Sequence, residues 1–265
     1  MPQPQKARIG DVTLNYVIEG QGNWIVAIGG FATAYWQSWT RYLPALAGYK
    51  VLALDSRGSG ASDAPDQPYS TAMMARDVLG LMDHLGIEKA HVLGRSLGGA
   101  VAQELALQQQ HRVRSLALSA SFASMGNRGR NIVEHWIDTI VSLGFEKFFA
   151  QLMPYFFTAE FYASRYADVQ RTIDGLLSAP RSVHGFVNTG HAVIGHDTWD
   201  RLHQIKVPAL ILTGAEDAIC PVRDVEAMAA RIPNAELHIF PKSAHGFLTE
   251  VPAAFEKVPA FFARH

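Results

Sequence analysis

Between Ala90 and Ala100 the chain reads Ala90-His91-Val92-Leu93-Gly94-Arg95-Ser96-Leu97-Gly98-Gly99-Ala100, a short β-favouring run that gives way abruptly to a helical one. Ser96 stands between the two, in Gly94-Arg95-Ser96-Leu97-Gly98. A serine on a tight strand-to-helix turn is held exposed above a sheet, as a nucleophile must be. Bulk at either flanking position would meet neighbouring backbone where the chain reverses, which accounts for glycine at 94 and 98. The helix that follows aims its positive end, with unpartnered N–H groups, at this turn. The five-residue pattern recurs by chance, so the rest of the chain must supply the strands, helices and partner residues that give it meaning.

The surrounding chain alternates accordingly. Lys6 to Glu19 reads as a hairpin turning at Gly10-Asp11. Trp24–Ile28 is a continuous apolar run, as expected of a buried parallel strand, Val51–Leu54 reads as the next buried strand, and further strands are read at Val113–Ser119, Val207–Thr213 and Ala235–Phe240. Helical stretches fall between them, near Ser38–Leu46, Leu97–Gln109, Val222–Ile232 and Pro252–Arg264. A further helix starts after Ser70 as N-cap, carries Met74, Val78, Leu81 and Leu85 at helical spacing, and stops at Gly86. This predicts an α/β fold with a mostly parallel, doubly wound sheet and helices on both faces. The alternation stops over 122–197, where aromatics crowd several short helical stretches and no strand is legible. We expect a core of 1–121 and 198–265, with 122–197 inserted after the sixth strand as a helical lid over the carboxyl ends of the strands.

Composition narrows the function classes. A formal net charge of −1 without long runs of one sign implies neither nucleic acid nor an anionic membrane as partner. No apolar run is long enough for a membrane span. Cys220 is the one cysteine, so no internal disulfide forms, and the first residues lack an apolar leader. The expectation is a cytoplasmic enzyme with a small-molecule substrate.

A serine hydroxyl needs an adjacent base, which a third group orients. Of the eleven histidines, only His245 lies in a loop just after a core strand near the C-terminus. Asp217 follows the preceding strand, with Glu216 beside it as the rival acid; the order Ser…Asp…His is that of one hydrolase architecture. No carboxylate comes directly after the strand ending at Ser119. The oxyanion hole requires two backbone N–H groups, best supplied by Leu97 and by Phe31, behind Gly29-Gly30.

The stretches Gly94–Gly99, Asp55-Ser56-Arg57-Gly58-Ser59-Gly60-Ala61-Ser62, Gly214-Ala215-Glu216-Asp217 and Ala244-His245 together resemble the α/β-hydrolase superfamily over almost the whole chain. The lid length and Arg76-Asp77-Val78-Leu79-Gly80-Leu81-Met82-Asp83 look most like the lid-bearing 3-oxoadipate enol-lactonase-like branch of esterases and lactonases. The resemblance implies a Ser96–His245–Asp217 triad, a hole at Phe31 and Leu97, hydrolysis of a carboxylic ester or lactone of a small, partly apolar molecule, and no cofactor or metal. The chain departs from many members in having Gly29 where they carry histidine, and in an arginine before the nucleophile. Similar enzymes that cleave a C–C bond of a dienoic diketo acid often have asparagine at that position and tryptophan after the histidine, unlike Arg95 and Gly246 here. Perhydrolase-like activity, or a ligand receptor with slow hydrolysis, would use the same residues.

Some residues carry two readings. Arg95 either binds an anionic substrate group or is a structural arginine. Arg57 with Gly58 and Gly60 lacks the lysine and hydroxyl spacing of a phosphate loop and reads as a structural turn. Trp36, Phe122, Trp136, Phe157 and Phe247 are candidate walls of the substrate site, although most aromatics are simply core. Cys220 reads as a small buried hydrophobe. His184, His191 and His196 show no metal-ligand spacing and read as solvated or packing residues.

Overall fold

The computed structural model describes residues 3–31, 33–34 and 39–265. Eight strands form one sheet: β1 (Gln5–Ile9), β2 (Val12–Gly20), β3 (Asn23–Ile28), β4 (Tyr49–Leu54), β5 (Ala90–Arg95), β6 (Val113–Ser119), β7 (Ala209–Gly214) and β8 (Ala235–Phe240). Their order is β1-β2-β4-β3-β5-β6-β7-β8. The first two strands are the expected hairpin; β2 also runs antiparallel to β4, and every later pairing is parallel. The central strands are buried on both faces along most of their length, as their predominantly apolar sequences require.

Helix α1 (Thr71–His84) begins where the sequence places it, with Ser70 Oγ accepting the Met73 N–H at 3.1 Å. It ends at Gly86, which takes φ +65°. It packs on α2 (Leu97–Gln108), the helix that follows Ser96. Ser38 lies outside the described residues, and the stretch expected to be helical after it ends in a 3₁₀ turn at Leu43–Leu46. The single C-terminal helix expected from Pro252 is instead a 3₁₀ turn at Pro252–Glu256 followed by helix at Lys257–Phe262.

Between β6 and β7 lie four helices: α3 (Gly126–Phe156), α4 (Ala159–Ser164), α5 (Tyr166–Leu177) and α6 (Val183–Ile194). The first is longer than the sequence suggests, and Gly144 breaks it with φ 80°, ψ 177°. An isolated antiparallel bridge between Ser124 and Asp197, and the Thr198 N–H on the Ala123 carbonyl at 2.9 Å, bring the two ends of this segment together. No helix among the described residues is long and apolar enough to cross a membrane.

Arg57 proves structural. It is 2% exposed, pairs with both carboxylate oxygens of Asp77 at 2.5 and 2.7 Å, and reaches Asp11 at 3.0 Å. Burial alone would lower its pKa, but these two carboxylates outweigh it and hold the guanidinium's pKa up.

His196 is a packing residue, buried between Thr71 Oγ1 at 2.8 Å and Thr198 Oγ1 at 3.4 Å beside the neck of the insertion. Burial pulls its pKa down to about 4, and does the same to His91. Unfolded histidine takes up a proton near pH 6.5, so between there and about 4 the unfolded chain binds a proton that native His196 refuses. Stability present above pH 6.5 is therefore lost as the pH falls toward 4, by roughly 3 kcal/mol for this residue. Thermal melts from pH 7.5 to 4.5 should show a shallower loss for His196→Gln than for the parent; an equal loss would exclude this cause.

Candidate active site

The loops that follow β3, β5, β7 and β8 all leave the carboxyl edge of the parallel sheet, and they carry Phe31, Ser96, Asp217 and His245. That edge is where open α/β sheets bind ligands.

Ser96 adopts φ 51°, ψ −118°, a strained conformation for a residue with a side chain. Two hydrogen bonds fix it: its N–H donates to the Ser119 carbonyl at 2.8 Å, and Ser121 Oγ donates to its carbonyl at 2.9 Å. A Cβ on Gly94 would lie 2.4 Å from the Gly98 carbonyl oxygen, and one on Gly98 would lie 2.2 Å from that of Ile28. Both contacts are with backbone, which cannot step aside, so the steric reading of the two glycines holds. A Cβ on Gly30 would be 3.4 Å from Ser96 Cβ, so the loop carrying Phe31 runs against the turn. The Leu97 N–H opens α2 without a side-chain cap and is one of the donors that a helix start leaves unpaired.

His245 and Asp217 are 4% and 5% exposed, and His245 Nδ1 lies 2.8 Å from Asp217 Oδ2. The other carboxylate oxygen accepts the Ile219 and Cys220 N–H groups, each at 2.8 Å. Glu216, the rival acid, is exposed to solvent. An ionised carboxylate only accepts, so Nδ1 carries the proton and Nε2 is left as the acceptor. Ser96 Oγ has no hydrogen-bond partner among the described residues, but Ser96 and His245 line the same cavity. Catalytic hydrogen bonds are often long until a ligand arrives.

The cavity is walled largely by apolar side chains, including Trp136, Leu152, Phe156 and Ile219. Of the candidate wall residues, Trp136 lines it, as do Arg95 and Phe31. Trp36 lies outside the described residues. Phe122 packs edge-on against His196, Phe157 stacks on Phe161, and Phe247 stacks on Phe240; none of these three lines the cavity. Phe156, not its neighbour Phe157, faces the site, with its ring centroid 5.5 Å from that of His245. Its carbonyl accepts the Gly246 N–H at 2.6 Å, and a Cβ on Gly246 would meet the Phe156 and Phe157 rings at 2.8 Å. Glu250 adds a second tie, accepting the Thr158 N–H at 2.8 Å and the Ala244 N–H at 2.6 Å. The inserted helices are thus anchored to the histidine loop. Phe31 continues the contact, with its ring 4.3 Å from Phe186 and 6.3 Å from Trp136 between centroids.

Arg95 is partly exposed as a residue, but its Nη2 is buried; burial lowers its pKa, Tyr42 and Asp217 act against the shift, and Arg41 adds to it. Its guanidinium sits over the Phe156 ring at 5.1 Å. Asp217, Cys220 and His245 place one potential metal ligand atom each within 4.8 Å of one another. The set suits a metal poorly: both carboxylate oxygens are engaged, and burial pushes the Cys220 thiol well above its usual pKa, away from the thiolate that metals bind. That thiol donates to the Ala120 carbonyl at 3.4 Å, as a small packed group would.

Comparison with known proteins agrees with this architecture. Residues 23–251 match the family model described as alpha/beta hydrolase fold. A protein of Azorhizobium caulinodans provisionally named carbamate hydrolase RutD is 27% identical over 251 residues, covering 94% of each chain. The 2-hydroxy-6-oxo-6-phenylhexa-2,4-dienoate hydrolase of Burkholderia cepacia is 29% identical over 92% of this chain and 88% of its own. The crystal structure of the enol-lactonase from Burkholderia xenovorans LB400 superposes with a TM-score of 0.90 at 26% identity, over 98% of this chain and all of its own (100%). The loops at the sheet edge, the turn at Ser96 and these relatives lead to one assignment: the chain belongs to the α/β-hydrolase fold family and is a hydrolase.

Proposed function

We propose that the protein is a serine hydrolase that cleaves a carboxylic ester or lactone of a small, partly apolar molecule. The observation that carries this reading is the buried His245–Asp217 pair, 2.8 Å apart, on the same cavity as the strained Ser96 turn. His245 Nε2 takes the Ser96 hydroxyl proton as Oγ attacks the substrate carbonyl. The tetrahedral oxyanion rests on the N–H groups of Phe31 and Leu97, each typically worth about 3 kcal/mol to the transition state. Collapse breaks the C–O bond, and His245 returns the proton to the leaving alkoxide. Water then attacks the acyl-enzyme, giving its proton to His245, and Ser96 leaves with that proton as the acid is released. Asp217 fixes the imidazole tautomer and stabilises its cation. The apolar walls exclude water and receive the acyl chain, and 122–197 serves as the lid over 1–121 and 198–265.

The test is chemical labelling. A fluorophosphonate probe should modify Ser96, located by peptide mass spectrometry, and a short-chain aryl ester should be turned over. Absence of both the label and ester or lactone turnover would overturn the reading. The dienoate hydrolase relative brings a second reading, cleavage of a C–C bond by the same serine. Consumption of a chromophoric 2-hydroxy-6-oxo-dienoate at a higher kcat/KM than any ester or lactone would favour it.

A further inference from the structure

Six buried side-chain atoms among the described residues lack any hydrogen-bond partner, and two of their residues line the cavity: Arg95, through Nη2, and Trp39, through Nε1. Both groups can only donate. No described residue accepts a hydrogen bond from any nitrogen of the Arg95 side chain; its one contact of note is the Phe156 ring. Among the described residues, Asp217 is the one carboxylate whose charge bears on it, and that group is already committed to His245, Ile219 and Cys220. The exposed cation Arg41 makes the surroundings still more positive.

The contrast with Arg57 sharpens the point. Arg57, buried for structure, is supplied with two carboxylates, Asp77 and Asp11. A buried charge without a partner is costly, and a buried donor without an acceptor adds to that cost. Here both lie beside the Ser96 turn, in a cavity walled largely by apolar groups. The missing component is an anionic acceptor, and a planar carboxylate matches the guanidinium fork.

We propose that Arg95 and Trp39 form a carboxylate-binding subsite, so that the natural substrate is an acidic ester or lactone carrying a carboxylate a few bonds from the scissile carbonyl. This rests on Ser96 being the nucleophile and narrows the substrate class. The carboxylate pairs with the Arg95 guanidinium and accepts the Trp39 indole N–H. This draws the carbonyl toward the Phe31 and Leu97 N–H groups, while the rest of the substrate lies against Trp136 and Phe156.

The test compares two matched pairs: monomethyl glutarate against dimethyl glutarate, with the acid on the acyl side, and 3-acetoxypropanoate against its methyl ester, with the acid on the alcohol side. The parent should prefer the acidic member of at least one pair by about 10- to 100-fold in kcat/KM, the span of a charge-assisted hydrogen bond. That ratio should fall at least about 10-fold in Arg95→Gln, carried mainly by KM, and be partly restored in Arg95→Lys. It should fall by a smaller factor in Trp39→Phe, which keeps the ring and removes the N–H. No acid preference in either pair, or equal losses on acidic and neutral members in these variants, overturns the subsite. Should no ester turn over, calorimetric binding of the same four compounds to Ser96→Ala reads the subsite without catalysis: tighter binding of an acid than of its neutral partner supports it, and equal binding overturns it. Fluorophosphonate labelling, scored separately, shows whether the hydrolase reading has failed instead.

Discussion

Ser96→Ala is expected to lower kcat by at least about 10³-fold, and by as much as about 10⁶-fold if nucleophile, base and acid act as one unit. In the proposed mechanism Oγ is the atom that bonds the substrate carbon, and the neighbouring Ser121 Oγ is occupied on the Ser96 carbonyl. The fold should survive, because the strain at Ser96 is a backbone strain that alanine bears equally. Binding should survive too, since Phe31, Leu97 and the cavity walls are untouched. The expected signature is a collapsed kcat with little change in affinity or melting temperature, measured by steady-state kinetics beside calorimetry. Activity near that of the parent would reject Ser96 as nucleophile.

Asp217→Asn should cost about 10⁴-fold in kcat, and the hydrogen bonds say why. The Ile219 and Cys220 N–H groups both point at Oδ1 at 2.8 Å. An asparagine placed there must keep its carbonyl oxygen toward these two donors, which turns its NH₂ toward His245 Nδ1. The imidazole then has to accept at Nδ1 and carry its proton on Nε2, the tautomer that cannot take a proton from Ser96. Shape is preserved while function is lost, so the melting temperature should move far less than the rate. Glu216→Gln, at an exposed carboxylate, serves as the comparison and should stay within a few-fold of the parent. A rate for Asp217→Asn within about tenfold of the parent would show that the histidine is oriented by something else.

The strands were legible because buried parallel strands are rich in apolar residues, and Trp24–Ile28 and Val51–Leu54 are unbroken apolar runs. The turn at Ser96 was legible because only glycine fits where backbone passes within 2.4 Å of a would-be Cβ. Asp217 and His245 were reachable through chain order, since each follows a strand of the same sheet. The walls of the cavity were not. Aromatic density marks 122–197 as apolar, but not where each helix ends. The helix stops at Phe156, which faces the site; Phe157 takes an extended backbone (φ −119°, ψ 154°) and packs away from it against Phe161. Trp39, Leu152 and Ile219 carried no signal, because ordinary core residues look the same in one dimension.

By itself, then, the sequence determined the alternation of strand and helix and the helical stretch between the sixth and seventh strands, and it singled out Ser96, Asp217 and His245 as the proposed triad. Each of these depends on local sterics, periodicity or order along the chain. The tertiary structure alone decided which aromatics meet the substrate cavity, that Glu216 faces water while Asp217 is held by two backbone donors, and that Arg57 is paired where Arg95 is not. The physical reason is that pairing is a property of what lies across space: Asp77 reaches Arg57 from α1, and among the described residues no carboxylate reaches Arg95.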